Sequence, residues 1–177
     1  MPYPAGHRTA VKKKIVDSAR KLFNRHGFEN VSLNQIMAGA GLTHGGFYGH
    51  FVSKDDLVAE AVARALERAV EKQSDYTDLG DLVAGYLSER HLADRAGGCA
   101  IAALGADLAR QGDGARGSLT AHVRAQLEAR RRRRAIATPA GMVGALTLAR
   151  AVDDPALSRE ILAATRDALA KTLSTDD

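Results

Sequence analysis

Apolar residues recur at three- and four-residue intervals along almost the whole chain, and no segment alternates long enough to make a strand. That periodicity restricts the chain to an all-α fold. Val11, Ile15, Ala19, Leu22, Phe23 and His26 share one face of a first helix, and Lys12, Lys13, Lys14, Arg20 and Lys21 mostly occupy the other. Gly27 supplies its stop. His26, at the end of the apolar face, is expected to be a half-buried core residue rather than a ligand.

Ser32-Leu33-Asn34-Gln35 reads as a capping box, with Ser at the N-cap and Gln three residues on. It opens a second helix over about 33–38. Gly39-Ala40-Gly41 then makes a tight turn. Thr43 is the next N-cap, and Leu42 and Phe47 hold the positions of a hydrophobic staple. Phe47 and Phe51 point inward from a third, very short helix over about 44–51. Two short helices joined by a glycine turn read as helix-turn-helix. Gly45 and Gly46 are costly in a helix, at about 1 kcal/mol each. Close approach of the backbone to a ligand is one reason to tolerate them.

Ser53 caps a fourth helix that Asp55 and Asp56 favour electrostatically, reaching about residue 73. Further helices are expected over 79–87 and 99–110. Residues 111–117 (QGDGARG) read as a loop, after which Ser118 opens a helix running into the five arginines at 130–134. Pro139 is placed near the start of an eighth helix, with Met142, Val143, Leu146 and Leu148 as its stripe. Pro155 starts the last, with Leu157, Ile161, Leu162, Thr165, Leu169 and Leu173.

Composition divides the chain. Of a net charge of +4 over 177 residues, positions 1–55 hold eight basic and three acidic side chains, or +5; the remainder is −1. All four Phe lie in that basic third. A single Cys excludes an internal disulfide framework and a Cys-rich zinc module. The uncharged stretch 135–149 is 15 residues, contains Pro139 and is short of the ~20 needed to span a bilayer. The first residues lack an apolar leader core, so a cytoplasmic protein without membrane association is expected. There is no H-E-x-x-H, P-loop, G-x-S-x-G or Cys/His cluster, so neither an enzyme, a metal site nor a cofactor is expected.

Residues 41–51 (GLTHGGFYGHF), followed by Ser53-Lys54 and preceded by 31–36 (VSLNQI), resemble the TetR/AcrR family of bacterial repressors. Residues 98–104 (GCAIAAL) and 143–155 (VGALTLARAVDDP) are similar to the ligand-binding and dimerisation part of one subgroup. The resemblance implies a helix-turn-helix DNA-binding domain over 8–68, with a recognition helix at about 43–51. A helical ligand-binding and dimerisation bundle follows over 74–177. It also implies a homodimer on double-stranded, inverted-repeat operator DNA, released by a small-molecule inducer.

The residue chemistry agrees with that expectation. Thr43, Tyr48, His50 and Lys54 are types that meet phosphate, and Tyr48 can also touch a thymine methyl. His44 is placed for a base edge, and Gly45 and Gly46 admit the backbone to the groove. Arg8 and Lys12 belong to a basic arm. Ser32 joins the DNA-contacting set, and Asn34 does so by resemblance. Gly49 departs from the family pattern, which often has a longer side chain there, and one phosphate contact is thereby lost. Tyr86, Cys99, Leu104, His122 and Met142 are expected to line the inducer pocket. Cys99 leaves two readings open: an electrophile- or oxidant-sensing thiol at a helix N-terminus, or a small buried residue. A nucleoid-type DNA-binding module without inducer is a further alternative, which the size of the second part disfavours. The five arginines at 130–134 read as a solvated helix surface.

Overall fold

The computed structural model describes residues 5–128 and 132–174. All regular structure there is helical. The order is α1 (Ala5–His26), α2 (Leu33–Gly39), a 3₁₀ turn (His44–Gly49), α3 (Lys54–Gln73), α4 (Leu79–Tyr86), α5 (Glu89–Ala93), α6 (Ala100–Leu108), α7 (Asp113–Glu128), α8 (Arg132–Ala151) and α9 (Pro155–Ser174).

The local signals set the first half of this order. Gly27 ends α1 at a φ of +79°, and Gly41 turns the chain after α2 at +72°, both in the left-handed region that glycine tolerates. Ser32 Oγ accepts from the Gln35 amide at 3.3 Å, and Gln35 Oε1 accepts from the Ser32 amide at 2.8 Å, closing the capping box. Ser53 Oγ accepts from the Asp56 amide at 3.1 Å and opens α3. Farther on, Asp154 Oδ1 accepts from the Ala156 amide at 2.7 Å at the start of α9.

Two apolar clusters hold the molecule together. In the first, Ile15, Ala19 and Phe23 of α1 meet Ile36 and Met37 of α2, Phe47 and Phe51 around the turn, and Leu57, Ala61 and Val62 of α3. Ala100, Leu104 and Leu108 of α6 and Ala115 of α7 close the same cluster. The second holds Val83 and Leu87 against Ala102, Met142, Ala145, Leu146, Ala149 and Leu162. Helix α3 runs unbroken past residue 68 and packs on α1 and on α7.

Several sequence expectations are corrected. His26 is exposed, because α1 ends as it leaves the core. The third helix is a 3₁₀ turn ending at Gly49, with Gly46 bonded to the Thr43 carbonyl at 3.2 Å and His50 to that of Phe47 at 2.9 Å. Its glycines give little support to a longer α-helix. Helix α7 starts at Asp113, inside the expected loop, since buried Ala115 docks on the first cluster. Ser118 is accordingly interior to α7, and its hydroxyl donates back to the Gly114 carbonyl at 3.1 Å. A one-turn helix, α5, was not foreseen; Ser88 Oγ caps it by accepting from the His91 amide at 3.2 Å. Pro139 lies inside α8 rather than near its start, and cannot donate to the carbonyl four residues before it. Leu148 and Leu157 stand on the exposed side of their helices. Of the arginine run, 130 and 131 fall outside the described residues.

Candidate nucleic-acid interface

The 3₁₀ turn is held from beneath by its aromatic residues. Phe47 and Phe51 are buried and stacked, with ring centroids 5.5 Å apart. The Tyr48 ring stands edge-on to Phe47 at 5.1 Å and to His44 at 6.5 Å, and Tyr48 itself is 66% exposed. Thr43, His44, Gly45, Gly46 and Gly49 are exposed as well. A Cβ at Gly45 or Gly49 would meet nothing within 4 Å, and one at Gly46 would touch only Met37 Cε, at 3.6 Å. The fold thus does not require glycine at 45 or 49. Their absence of side chains leaves bare backbone on either side of Tyr48.

The remaining expected contacts divide by what the chain itself does with them. Thr43 sits at the N-cap position, but its hydroxyl makes no cap bond and stays exposed. Asn34 is exposed on α2, while the Ser32 hydroxyl is engaged in the capping box. Arg8 and Lys12 lie within α1, so they form a helix face rather than an extended arm. Arg8 Nη2 donates to the Gly49 carbonyl at 2.9 Å. Lys12 pairs with Glu60 of α3 and sits 5.1 Å over the Phe51 ring. Lys54 Nζ donates to the Phe28 carbonyl at 2.7 Å, tying the start of α3 to the loop after α1. His50 does not project outward like Tyr48; it is half-buried, and its Nδ1 is enclosed without a partner. Burial, followed by the positive charges of Arg8 and Lys12, lowers its pKa and favours the neutral ring.

The five residues expected at an inducer pocket do not converge. Tyr86, Cys99 and Met142 meet in the second cluster. Leu104 belongs to the first, facing α1 and α3. His122 lines a separate, solvent-open groove of about 290 Å³ between α3 and α7, with Ala63, Leu66, Glu67, Val70 and Ser118. Helical spacing along the sequence does not say which interior a residue faces. The Tyr86 hydroxyl is enclosed and has no hydrogen-bond partner. Burial first, and the adjacent Cys99 thiol second, raise its pKa.

A second constellation draws its residues from distant parts of the sequence. Residues 94–99 connect α5 to α6, and side chains from several helices grip their backbone. Asn24 Nδ2 of α1 donates to the carbonyls of Ala96 at 3.3 Å and Gly98 at 3.1 Å. Lys72 of α3 donates to Gly97 at 3.0 Å, and Arg150 of α8 to Asp94 at 3.2 Å. The Cys99 amide donates to His91 Nε2 at 3.0 Å, so Cys99 sits at the N-cap of α6 with its thiol outside the cap. The glycine pair before Cys99 was the one available signal: a Cβ on Gly98 would fall 2.5 Å from the Asp94 carbonyl oxygen.

A capped helix, a glycine turn and an exposed 3₁₀ stretch on a phenylalanine floor define a helix-turn-helix protein. Residues 15–61 match the family of bacterial regulatory proteins described as the tetR family. The A-factor receptor protein of Streptomyces griseus is 33% identical over 73 residues, 41% of this chain and 26% of that protein. The transcriptional regulator UidR of Escherichia coli is 30% identical over 61 residues, 34% of this chain and 31% of that one. The chain thus spans about a quarter to a third of the length of these relatives. A TetR transcriptional regulator from Chloroflexus aurantiacus superposes with a TM-score of 0.79 at 22% identity, over 96% of both chains, which establishes the shared fold. Residues 15–61 of this chain therefore carry the N-terminal DNA-binding domain of the tetR family of bacterial regulatory proteins, and the whole chain shares the fold of a TetR regulator. No described helix is long and apolar enough to cross a membrane.

Proposed function

We propose that the protein is a dimeric, DNA-binding repressor that leaves an inverted-repeat operator when a small hydrophobic or reactive molecule binds its C-terminal part. The observation that carries the DNA-binding reading is the exposed surface His44-Gly45-Gly46-Tyr48-Gly49 on its buried Phe47 support. Bare backbone flanking one exposed aromatic suits close entry into a groove, where Tyr48 meets phosphate or a thymine methyl and His44 a base edge. Thr43, Asn34 and the basic face of α1 add further polar contacts. Exposed Ile136 and Leu148 on α8 and Leu157 on α9 support pairing of two copies through these helices. The inducer reading rests on the α3–α7 groove: a molecule seated there touches α3, which begins shortly after the recognition turn and runs on to Gln73.

Selection of duplexes from a random pool by the purified protein, followed by anisotropy titration at several salt concentrations, tests this function. A selected inverted repeat bound as a dimer is expected. Weak binding that is indifferent to sequence rejects the reading.

A second reading makes Cys99 a sensor of electrophiles or oxidants. It is favoured by the enclosed, unpartnered Tyr86 hydroxyl beside the thiol. Maleimide labelling of the native protein at neutral pH decides it. A thiol that labels only after unfolding is a packing residue.

A further inference from the structure

The recognition turn exposes a two-residue stretch between two buried phenylalanines. Phe47 is buried within it, and Phe51 is buried two residues beyond it. Between these two anchors, Tyr48 faces solvent and Gly49 has no side chain, with open space where one would lie, so neither residue packs its own side chain into the core. A six-residue 3₁₀ stretch containing three glycines has little intrinsic helical stability. To this stretch, across 41 residues of sequence, α1 extends Arg8, whose Nη2 donates to the Gly49 carbonyl at 2.9 Å. Four residues later on the same helix, Lys12 holds the Phe51 ring and Glu60.

We propose that Arg8 is a positioning residue of the DNA-reading turn: its guanidinium fixes the Gly49 end, so that His44, Tyr48 and the bare backbone at Gly45 and Gly49 meet DNA as one preformed surface. The inference rests on the DNA-binding reading and assigns Arg8 a role other than the phosphate contact its charge suggests. The two roles have different signatures. A phosphate contact is blind to sequence: its loss weakens binding to all duplexes alike and lowers the salt slope by about one. A residue that shapes the reading surface changes discrimination instead, because misplaced base contacts are lost only on the correct sequence. A guanidinium bound to a single carbonyl also retains donors for a phosphate, so the measurement must separate the two contributions.

The test compares the chain with its Arg8→Ala variant in two measurements. Without DNA, amide hydrogen exchange in a peptide covering 44–51 is expected to quicken several-fold, with exchange in the rest of α1 and in α3 unchanged. With DNA, the wild-type-selected duplex and a scrambled duplex of equal length are titrated. The ratio of the two affinities is expected to fall by about tenfold while the salt slope holds. Equal weakening on both duplexes, with a lowered slope and unchanged exchange, would make Arg8 a phosphate contact and overturn the proposal. Failure of the wild-type protein to select any sequence overturns the DNA-binding reading itself. That result is distinct from a selected duplex on which Arg8→Ala keeps the full ratio, which overturns the positioning role alone.

Discussion

Asn24, buried on α1, donates from its side-chain amide to the Gly98 carbonyl at 3.1 Å, 74 residues away in sequence. The same amide serves Ala96, and buried Arg20 reaches that carbonyl at 3.5 Å. This joint fastens the helix beside the recognition turn to the loop that begins α6. It is imperfectly satisfied, since Asp17 Oδ1, Arg20 Nε and Asn24 Oδ1 lack hydrogen-bond partners within the protein. Asn24→Ala is expected to destabilise the chain by about 1–2 kcal/mol, because the Gly98 carbonyl loses this donor in a part-buried setting. Gly98→Ala should cost more, about 2–4 kcal/mol, because the added carbon meets the rigid Asp94 carbonyl oxygen. Urea unfolding followed by circular dichroism measures both, and a Gly98→Ala midpoint equal to wild type contradicts the geometry.

The recognition turn separates stability from binding. Phe47→Ala removes a ring with no exposed surface and is expected to cost about 3–5 kcal/mol. Tyr48→Ala trims an exposed neighbour and should alter stability by less than about 0.5 kcal/mol, while weakening DNA binding. Thermal melts and anisotropy titrations on the two variants check the contrast. Loss of stability in Tyr48→Ala beyond that range would mean that the ring supports the fold.

Gly45→Ala and Gly49→Ala give the converse pattern. Neither new methyl group meets an atom of the chain, and neither backbone has a positive φ. Stability should be unchanged or rise by up to about 1 kcal/mol. Affinity for the selected duplex should fall if bare backbone enters the groove. Full affinity in the double variant would show that the glycines make no close approach.

Acid should weaken the fold through its partly buried histidines. His91 Nδ1 lies 2.7 Å from the Tyr86 carbonyl and its Nε2 accepts from the Cys99 amide, so these partners specify a neutral ring protonated at Nδ1. Burial is the main cause lowering its pKa, opposed by the bond to Tyr86 and reinforced by Arg150. Burial lowers that of His122 as well. Below the ordinary histidine value of about 6.5 the unfolded chain therefore binds more protons than the folded one. The stability contribution is fully present above that value and is lost as pH falls through it toward the depressed folded values. The urea midpoint is expected to drop between pH 7.5 and 5.5, and to drop less in His91→Gln. Equal pH dependence in the two chains would remove His91 from the account.

The sequence by itself determined what depends on near neighbours along the chain. Ser32 with Gln35, Ser53 with Asp56, the stop at Gly27 and the inward-facing Phe47 and Phe51 are written within one or two helical turns, and the helical class follows from the same short-range spacing. Tertiary structure decided which interior each apolar face enters and which acceptor each long polar side chain finds. Leu104, Tyr86 and His122 are expected from the sequence to line one pocket, yet the packing of α6, α4 and α7 sends them to three different places. Arg8, Lys54, Asn24 and Arg150 end on main-chain carbonyls of Gly49, Phe28, Gly98 and Asp94. Every residue carries such a carbonyl, so its choice as an acceptor has no signature in the sequence and is made only when folding brings distant segments within about 3 Å.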